Sequence, residues 1–273
     1  MPPPQDPDDP RNALDAALSV RDRDVVATVT EAVRHGQVRL AFQPVVAAQA
    51  QGRVAFYESF VRVLDPTGRI IPAAEFMREV DETEAGRLLD CAALDRGLCH
   101  LRETPDLRLA VNMSARSIGF PRWRQLLERG LRDDPTLGER LILEIAEPSA
   151  MLLPDLTLDF MRACQPLGIA FALDDFGSDV TRFRWFRELP FDILKFDGQF
   201  VRGVAGDPDN QVLLRAFQAL ATEFDLLTVA ESVENAADAA FLAGIGVTCL
   251  QGYYFAAPTL QPPWRDTAGR ASA

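Results

Sequence analysis

Oxygen-bearing side chains stand at the ends of the apolar, strand-like segments of this chain, and their types are those that bind divalent cations. The oxygen-bearing residues that lie within or soon after such segments are Glu58, Asn112, Glu144, Glu147, Asp174, Asp175, Asp197, Glu231, Glu234 and Gln251, and Lys195 is the basic residue among them. Carboxylates that are brought together repel one another, and burying them is costly unless cations neutralise them. Oxygen ligands without histidine or cysteine favour a hard cation, Mg²⁺ or Mn²⁺. The pattern therefore predicts a site for such a cation.

Lys195 is the single lysine among the 28 basic side chains, and it lies close to Asp197. Lysine is a compact point charge whose pKa shifts readily, whereas arginine is a broad planar fork that stays protonated. One interpretation is that Lys195 is an ordinary surface lysine that occurs here by chance. Its acidic neighbours favour another, in which the site needs the compact ammonium group of lysine beside one particular atom.

Each of these residues also has a structural explanation when it is taken alone. The run at 174–177 is typical of a turn with a helix cap, and Glu58 could pair with Arg62. The other carboxylates could simply be solvated. The two histidines, His35 and His100, lie in helix-like segments away from the acidic residues, which argues against a His-rich zinc site and a Ser-His-Asp triad.

Eight short apolar segments would position these residues as strands, at 40–46, 54–63, 107–111, 141–145, 169–173, 193–196, 226–230 and 247–250. Helical periodicity lies between most of them, at 85–101, 121–131, 156–164, 209–224 and 236–243. The short connection between the first two strands predicts a hairpin, and the later strand–helix alternation predicts parallel strands. The expected fold is α/β, a modified TIM (β/α)8 barrel with one antiparallel strand near the N-terminus. A doubly wound open sheet is the alternative. In a barrel, the carboxyl ends of the strands converge on the face that carries the chemistry.

Composition limits the function classes. The 273 residues carry a net charge of −12, which argues against binding to nucleic-acid polymers or anionic membranes. No apolar run is long enough for a membrane span, and no secretory leader is recognisable. The four cysteines are expected to be reduced core residues of a cytoplasmic protein. We expect a disordered Pro/Asp-rich tail at 1–12, one barrel domain at 13–262 and a C-terminal tail at 263–273.

Eight short motifs occur in order, one for each predicted strand. They are Phe42-Gln43-Pro44, Glu58-Ser59-Phe60, Val111-Asn112-Met113-Ser114, Leu143-Glu144-Ile145-Ala146-Glu147, Asp174-Asp175-Phe176-Gly177, Leu194-Lys195-Phe196-Asp197, Ala230-Glu231-Ser232-Val233-Glu234 and Gln251-Gly252-Tyr253. With these motifs the chain resembles the EAL-domain cyclic-di-GMP phosphodiesterases from about residue 38 to residue 258. Glu58 is retained from the tripeptide that gives the family its name, and the next two residues differ from it.

The resemblance implies hydrolysis of cyclic-di-GMP to linear pGpG by metal-activated water, with two Mg²⁺ or Mn²⁺ ions per site. It implies that the metal ligands are Glu58, Asn112, Glu144, Asp174 and Asp175. It implies catalytic roles for Lys195 beside the attacking water, Glu231 in the water network and Glu147 as the anchor of the loop after the fifth strand. The substrate contacts that it implies are Gln43, Arg62, Asp197 and Gln251.

The sequence departs from the family pattern mainly in the loop at 178–183, which follows Asp174-Asp175-Phe176-Gly177. Ser232 also replaces a glycine, and Phe196 replaces an isoleucine. The residues that the resemblance implies as metal ligands match the family pattern, whereas the loop that follows them does not. A second function therefore stays open: a weak or inactive module that binds cyclic-di-GMP or a protein partner as a receptor. The apolar residues of the altered region could form a homodimer interface or pack as ordinary barrel core, and they are Val180, Phe183, Trp185 and Phe186.

Overall fold

The computed structural model of the protein describes residues 25–50, 52–178, 187–262 and 264. The tail at 1–12, most of the altered loop at 178–183 and the four apolar residues of the expected interface lie outside these ranges. The strands are β1 (Val38–Ala47), β2 (Val54–Leu64), β3 (Ile70–Pro72), β4 (Leu109–Asn112), β5 (Leu141–Ala146), β6 (Ala170–Phe176), β7 (Ile193–Phe196), β8 (Leu227–Ala230) and β9 (Cys249–Leu250).

Helices follow most of the strands. The α-helices are α1 (25–34), α2 (Met77–Val80), α3 (Glu84–Glu103), α4 (Pro121–Asp133), α5 (Glu147–Ala150), α6 (Pro154–Cys164), α7 (Gly198–Val201), α8 (Pro208–Glu223) and α9 (Ala236–Gly244). Short 3₁₀ helices join them at Ala73–Glu75, Ala115–Gly119, Pro135–Arg140, Gln165–Leu167 and Val204–Gly206. Capping residues determine where several helices begin. Asp207, for example, accepts hydrogen bonds from the backbone N–H groups of Asp209 and Asn210 in the first turn of α8, and proline occupies the first position of that helix.

Eight of the strands close into a barrel. The order around it is β1-β9-β8-β7-β6-β5-β4-β2, and β1 pairs with β2 to complete the ring. β1 is antiparallel to both of its neighbours, and the other ring pairs are parallel. The predicted (β/α)8 barrel with one antiparallel strand is therefore confirmed, and the open sheet is excluded. The short β3 was not predicted; it pairs with the end of β2, beyond the part that β4 occupies.

Two apolar layers hold the barrel together. A large outer core lies between strands and helices, and a smaller cluster fills the interior. The buried members of the interior cluster come from every ring strand: Val45, Phe56, Ala110, Ile142, Ala172, Ile193, Val229 and Cys249. Because side chains alternate along a strand, the residue two positions away points into the same interior. At that spacing stand Gln43, Glu58, Asn112, Glu144, Asp174, Lys195, Glu231 and Gln251. The fold thus places one polar layer directly above an apolar plug.

The cysteine prediction needs one correction. Cys91, Cys164 and Cys249 are buried as expected, but Cys99 is exposed, because it lies on the outer side of α3. Within the described ranges, no helix combines the length and the apolar character that a membrane crossing requires.

Candidate metal and substrate site

Lys195 lies at the centre of the polar layer, with a side chain that is 0% exposed. Its Nζ is 2.6 Å from Glu231 Oε1, 2.9 Å from Asp174 Oδ1 and 3.0 Å from both Glu58 Oε2 and Glu144 Oε2. The four carboxylates come from four different strands: Glu58 lies within β2, Glu144 and Asp174 lie near the ends of β5 and β6, and Glu231 directly follows β8. A single ammonium group therefore holds them together, and the alternative pairing of Glu58 with Arg62 is wrong.

Amide side chains orient Glu58. Asn112 Nδ2 donates to Glu58 Oε1 at 2.9 Å, and Gln251 Nε2 donates to Glu58 Oε2 at 2.7 Å. Gln251 Nε2 also lies 3.1 Å from Gln43 Oε1, and Gln43 Nε2 donates to the carbonyl oxygen of Ala256 at 2.9 Å. These bonds fix the orientation of each amide, so that Asn112 keeps its Oδ1 available as a ligand.

Two groups of carboxylates can each hold a cation, and they share Asp174. One group is Glu58, Glu144 and Asp174, and the other is Asp174, Asp175 and Glu231; in each, the ligand oxygens lie within 4.8 Å of one another. Glu144 Oε1 is buried and receives no hydrogen bond from a described donor. A buried, unpaired carboxylate oxygen among other carboxylates fits a hard divalent cation. The residues present therefore suit one or two such ions.

Burial and like charges perturb the acidic groups of the cluster. Burial, together with neighbouring carboxylates, raises the pKa of Glu144 and of Glu231 well above the usual value. Burial and the charge of Asp174 raise the pKa of Asp175 to about 6. Burial opposes the charge of Lys195, but the four surrounding carboxylates outweigh it and raise the pKa of the ammonium group. One lysine thus compensates only part of the acidic charge.

The other predicted site residues lie outside the group of carboxylates that contact Lys195, and Arg62 and Asp197 are not among the residues that line the cleft above it. Glu147, at the start of α5, accepts a hydrogen bond from Gly177 N at 2.9 Å and so holds the turn after β6. Asp197 caps α7 by accepting from Gln199 N at 2.7 Å. Its charge also raises the pKa of Asp175, after burial and Asp174. Arg62 lies with its guanidinium carbon 5.7 Å from the centre of the Phe60 ring, two residues back on the same strand.

A cleft of about 840 Å³ opens above the cluster. Its floor includes Glu58, Asn112, Asp174, Asp175, Glu231 and Gln251. Its walls include residues of the segment that runs from β3 through α2 to the first half of α3. Sequence reasoning missed five charged residues of the walls, which are Asp81, Glu82, Asp90, Arg116 and Arg202. They lie on helices or in connecting segments, so the strand-end pattern carried no signal for them.

Comparison with known proteins assigns the family. The model of the EAL domain matches residues 26–258 of this chain. The chain belongs to the EAL-domain family. It is 26% identical over 234 residues to the cyclic di-GMP phosphodiesterase PdeB of Shewanella oneidensis, a match that covers 84% of this chain and 27% of PdeB. Against the cyclic di-GMP phosphodiesterase NbdA of Pseudomonas aeruginosa the identity is 30% over 234 residues, 84% of this chain and 30% of NbdA. The chain therefore spans less than a third of the length of these curated relatives.

Solved EAL domains share the barrel. The FimX EAL domain from Pseudomonas aeruginosa, bound to c-di-GMP, matches with a TM-score of 0.79 at 27% identity, over 87% of this chain and 97% of that chain. The PaMucR phosphodiesterase in complex with c-di-GMP matches with a TM-score of 0.76 at 26% identity, over 89% of this chain and 99% of that one. The family and the fold expected from the eight motifs are thereby confirmed.

Ser232, where the family pattern has glycine, adopts φ +55°. This left-handed conformation costs a residue with a Cβ about 1–2 kcal/mol. The Ser232 hydroxyl accepts a hydrogen bond from Arg202 at 3.2 Å, and Arg202 also lies 3.7 Å from Glu234. Ser232 thus adopts a backbone conformation that glycine would adopt without this cost.

Proposed function

We propose that this EAL domain hydrolyses cyclic-di-GMP to linear pGpG in the cleft above the carboxylate cluster. The observation that carries the proposal is the pair of carboxylate groups that share Asp174, with Lys195 between them. The relatives named cyclic di-GMP phosphodiesterases and the EAL domains bound to c-di-GMP support the choice of substrate.

Glu58, Asn112, Glu144 and Asp174 would hold one Mg²⁺ or Mn²⁺ ion. Asp174 and Asp175 would hold a second, to which Glu231 would contribute. Divalent cations supply an activated water near neutral pH and neutralise charge on the phosphoryl group. Asn112 and Gln251 would keep Glu58 in its ligating orientation, through the hydrogen bonds that they donate to its two oxygens.

Lys195 would place a compact positive charge beside the attacking water and limit the repulsion between the four carboxylates around it. Glu147 would keep Gly177, and with it the end of β6 that carries Asp174 and Asp175, in place. Gln43, Arg62, Asp197 and Gln251 remain our proposed substrate contacts.

The direct test is to incubate the purified protein with cyclic-di-GMP and Mn²⁺ or Mg²⁺ and to separate the products by chromatography. We expect pGpG with either metal, none in excess EDTA, and none from Glu58→Gln, which loses one ligand charge at nearly constant volume. An absence of pGpG at high enzyme concentration, with both metals, would contradict the hydrolase function.

A receptor without turnover is the second candidate. It is favoured by the altered loop at 178–183, because this segment directly follows the strand that carries Asp174 and Asp175 and departs from the family pattern there. Calorimetry in EDTA distinguishes the two functions. Tight binding of cyclic-di-GMP without metal, combined with no turnover in Mn²⁺, would establish the receptor.

A further inference from the structure

A second buried acidic group, separate from the carboxylate cluster, lies next to the strand end that carries Asn112. Asp90, on α3, is buried. Its Oδ2 accepts a hydrogen bond from Ser114 N at 3.0 Å and another from the Ser117 hydroxyl. Ser114 stands two residues after Asn112, in the turn that leads into the 3₁₀ helix Ala115–Gly119. The carboxylate therefore holds that turn from outside the barrel.

Arg87, one helical turn before Asp90, completes the arrangement. It is buried like Asp90, and its Nε donates to Ser117 Oγ at 2.8 Å. Its NH2 atom lies 3.3 Å from Asp81 Oδ1 and 3.9 Å from Asp90 Oδ2. The network thus sets one guanidinium against two carboxylates, and it links the end of α2, helix α3 and the turn after β4. Fully satisfied buried networks of this kind rigidify what they contact.

Three consecutive backbone N–H groups after Asn112 have fixed acceptors. Met113 N donates to Glu144 O at 2.9 Å, Ser114 N donates to Asp90, and Ala115 N donates to Ser149 Oγ at 2.9 Å. Asp90 is the charged member of these three acceptors. Hydrogen bonds to a charged group are stronger than those between neutral groups, so Asp90 contributes most to the rigidity of the turn.

We propose that Asp90 is a positioning residue for Asn112: by fixing the backbone of the turn at Ser114, it sets the place of the Asn112 amide beside Glu58. The proposal rests on the proposed metal-dependent function, because Asn112 matters there as the uncharged ligand. Residues that orient a metal ligand from outside the coordination sphere commonly change metal affinity by about 10–100-fold when they are replaced.

The test is calorimetric titration of the metal-stripped protein with Mn²⁺ at pH 7.5, which needs no turnover. Asp90→Ala removes the acceptor of Ser114 N, and we expect the Kd for Mn²⁺ to rise about 10-fold. Asp90→Asn keeps an oxygen for Ser114 N and Ser117, and we expect it to restore the Kd to within about threefold of wild type. If Asp90→Ala does not fold, Asp90→Glu displaces the carboxylate at constant charge and should also weaken Mn²⁺ binding.

Asp238→Ala is the matched control. Asp238 is also a buried carboxylate that accepts from backbone N–H groups, those of Gly203 and Ala205, both at 2.9 Å. We expect it to lower thermal stability as Asp90→Ala does and to leave the Kd for Mn²⁺ unchanged. An unchanged Kd in folded Asp90→Ala, or an equal loss of affinity in Asp238→Ala, would overturn the proposal.

Measurements on the wild type show whether the Asp90 proposal or the hydrolase function fails. A wild-type protein that binds Mn²⁺ but forms no pGpG would remove the hydrolase function, and the Asp90 proposal would still be decided by the affinities. A wild-type protein that binds no Mn²⁺ would overturn both. Weaker binding of cyclic-di-GMP in EDTA by Asp90→Ala, at unchanged Mn²⁺ affinity, would make Asp90 a substrate contact instead.

Discussion

Replacement of Lys195 by methionine tests the electrostatic account of the carboxylate cluster. The ammonium nitrogen lies 2.6–3.0 Å from four carboxylate oxygens. At an effective dielectric constant of about 20, each contact is worth roughly 5–6 kcal/mol, which is set against several kcal/mol of desolvation for each ion. Methionine fills most of the volume and removes the charge. Loss of one partner from a buried ion pair costs about 3–5 kcal/mol, and we expect the free energy of unfolding to fall by that amount in EDTA at pH 7.5.

The loss of unfolding free energy in Lys195→Met, relative to wild type, should depend on pH in a defined direction. Burial and neighbouring carboxylates already raise the pKa of Glu144 and of Glu231, and removal of the ammonium group raises both further. An acid with a raised pKa in the folded state destabilises the fold when it is ionised, and this cost disappears as the pH falls and the acid is protonated. We therefore expect the deficit to shrink between pH 7.5 and pH 5.5.

Urea unfolding followed by circular dichroism measures both effects. Lys195→Arg is the control, because it keeps the charge but forces a larger planar group into the same cage. Overpacking should cost it about 1–3 kcal/mol, with little dependence on pH. Lys195→Met with wild-type stability at pH 7.5, or with a deficit that is the same at both pH values, would refute the reasoning.

Four further predictions concern residues around the cluster. Burial raises the pKa of Asp90 to about 6, so its contribution to stability is present at low pH and is lost as the pH rises through 6. The stability of Asp90→Asn, measured by urea unfolding, should therefore rise by about 2 kcal/mol relative to wild type between pH 4 and pH 7.5, and a constant difference would contradict this. Ser232→Gly should stabilise the protein by up to about 1 kcal/mol, because it relieves the positive φ. A Cβ on Gly198 would lie 2.8 Å from Ser232 Cβ, so Gly198→Ala should be less costly in the Ser232→Gly background, and additive changes in a thermal-unfolding cycle would exclude this contact. Glu147→Ala leaves Gly177 N without its acceptor and should lower kcat for cyclic-di-GMP about 10–100-fold, whereas an unchanged kcat would show that the turn needs no anchor.

The period of two along the strands made much of the site predictable. Glu144 follows Ile142 and Asp174 follows Ala172 at this spacing, and the same holds around the barrel, so apolar runs that end in polar residues indicate the interior and its mouth. The ring strands and the longer helices were likewise predictable, because the apolar runs and the helical periodicity are visible in the sequence. The four-residue helices α2, α5 and α7, in contrast, are too short to show a period and were not predicted.

Elements that depend on tertiary contacts were not predictable. β3 has three residues and forms only because the end of β2 offers a free edge. Arg87 and Asp90 appear in sequence as ordinary charges of an amphipathic helix, although both are buried. Their partners, Ser114 and Ser117, lie more than twenty residues away along the chain. Such long-range polar networks have no local signature.

The most direct test of the central claim is a time course of cyclic-di-GMP and pGpG in the presence of Mn²⁺, for the wild type and for Asp174→Asn. Asp174 belongs to both carboxylate groups, so this single change weakens both proposed cation sites. The account predicts that the wild type converts cyclic-di-GMP to pGpG in equal molar amounts and that the variant, folded to the same extent, does not. Equal turnover by the two proteins, or no turnover by the wild type, would contradict it.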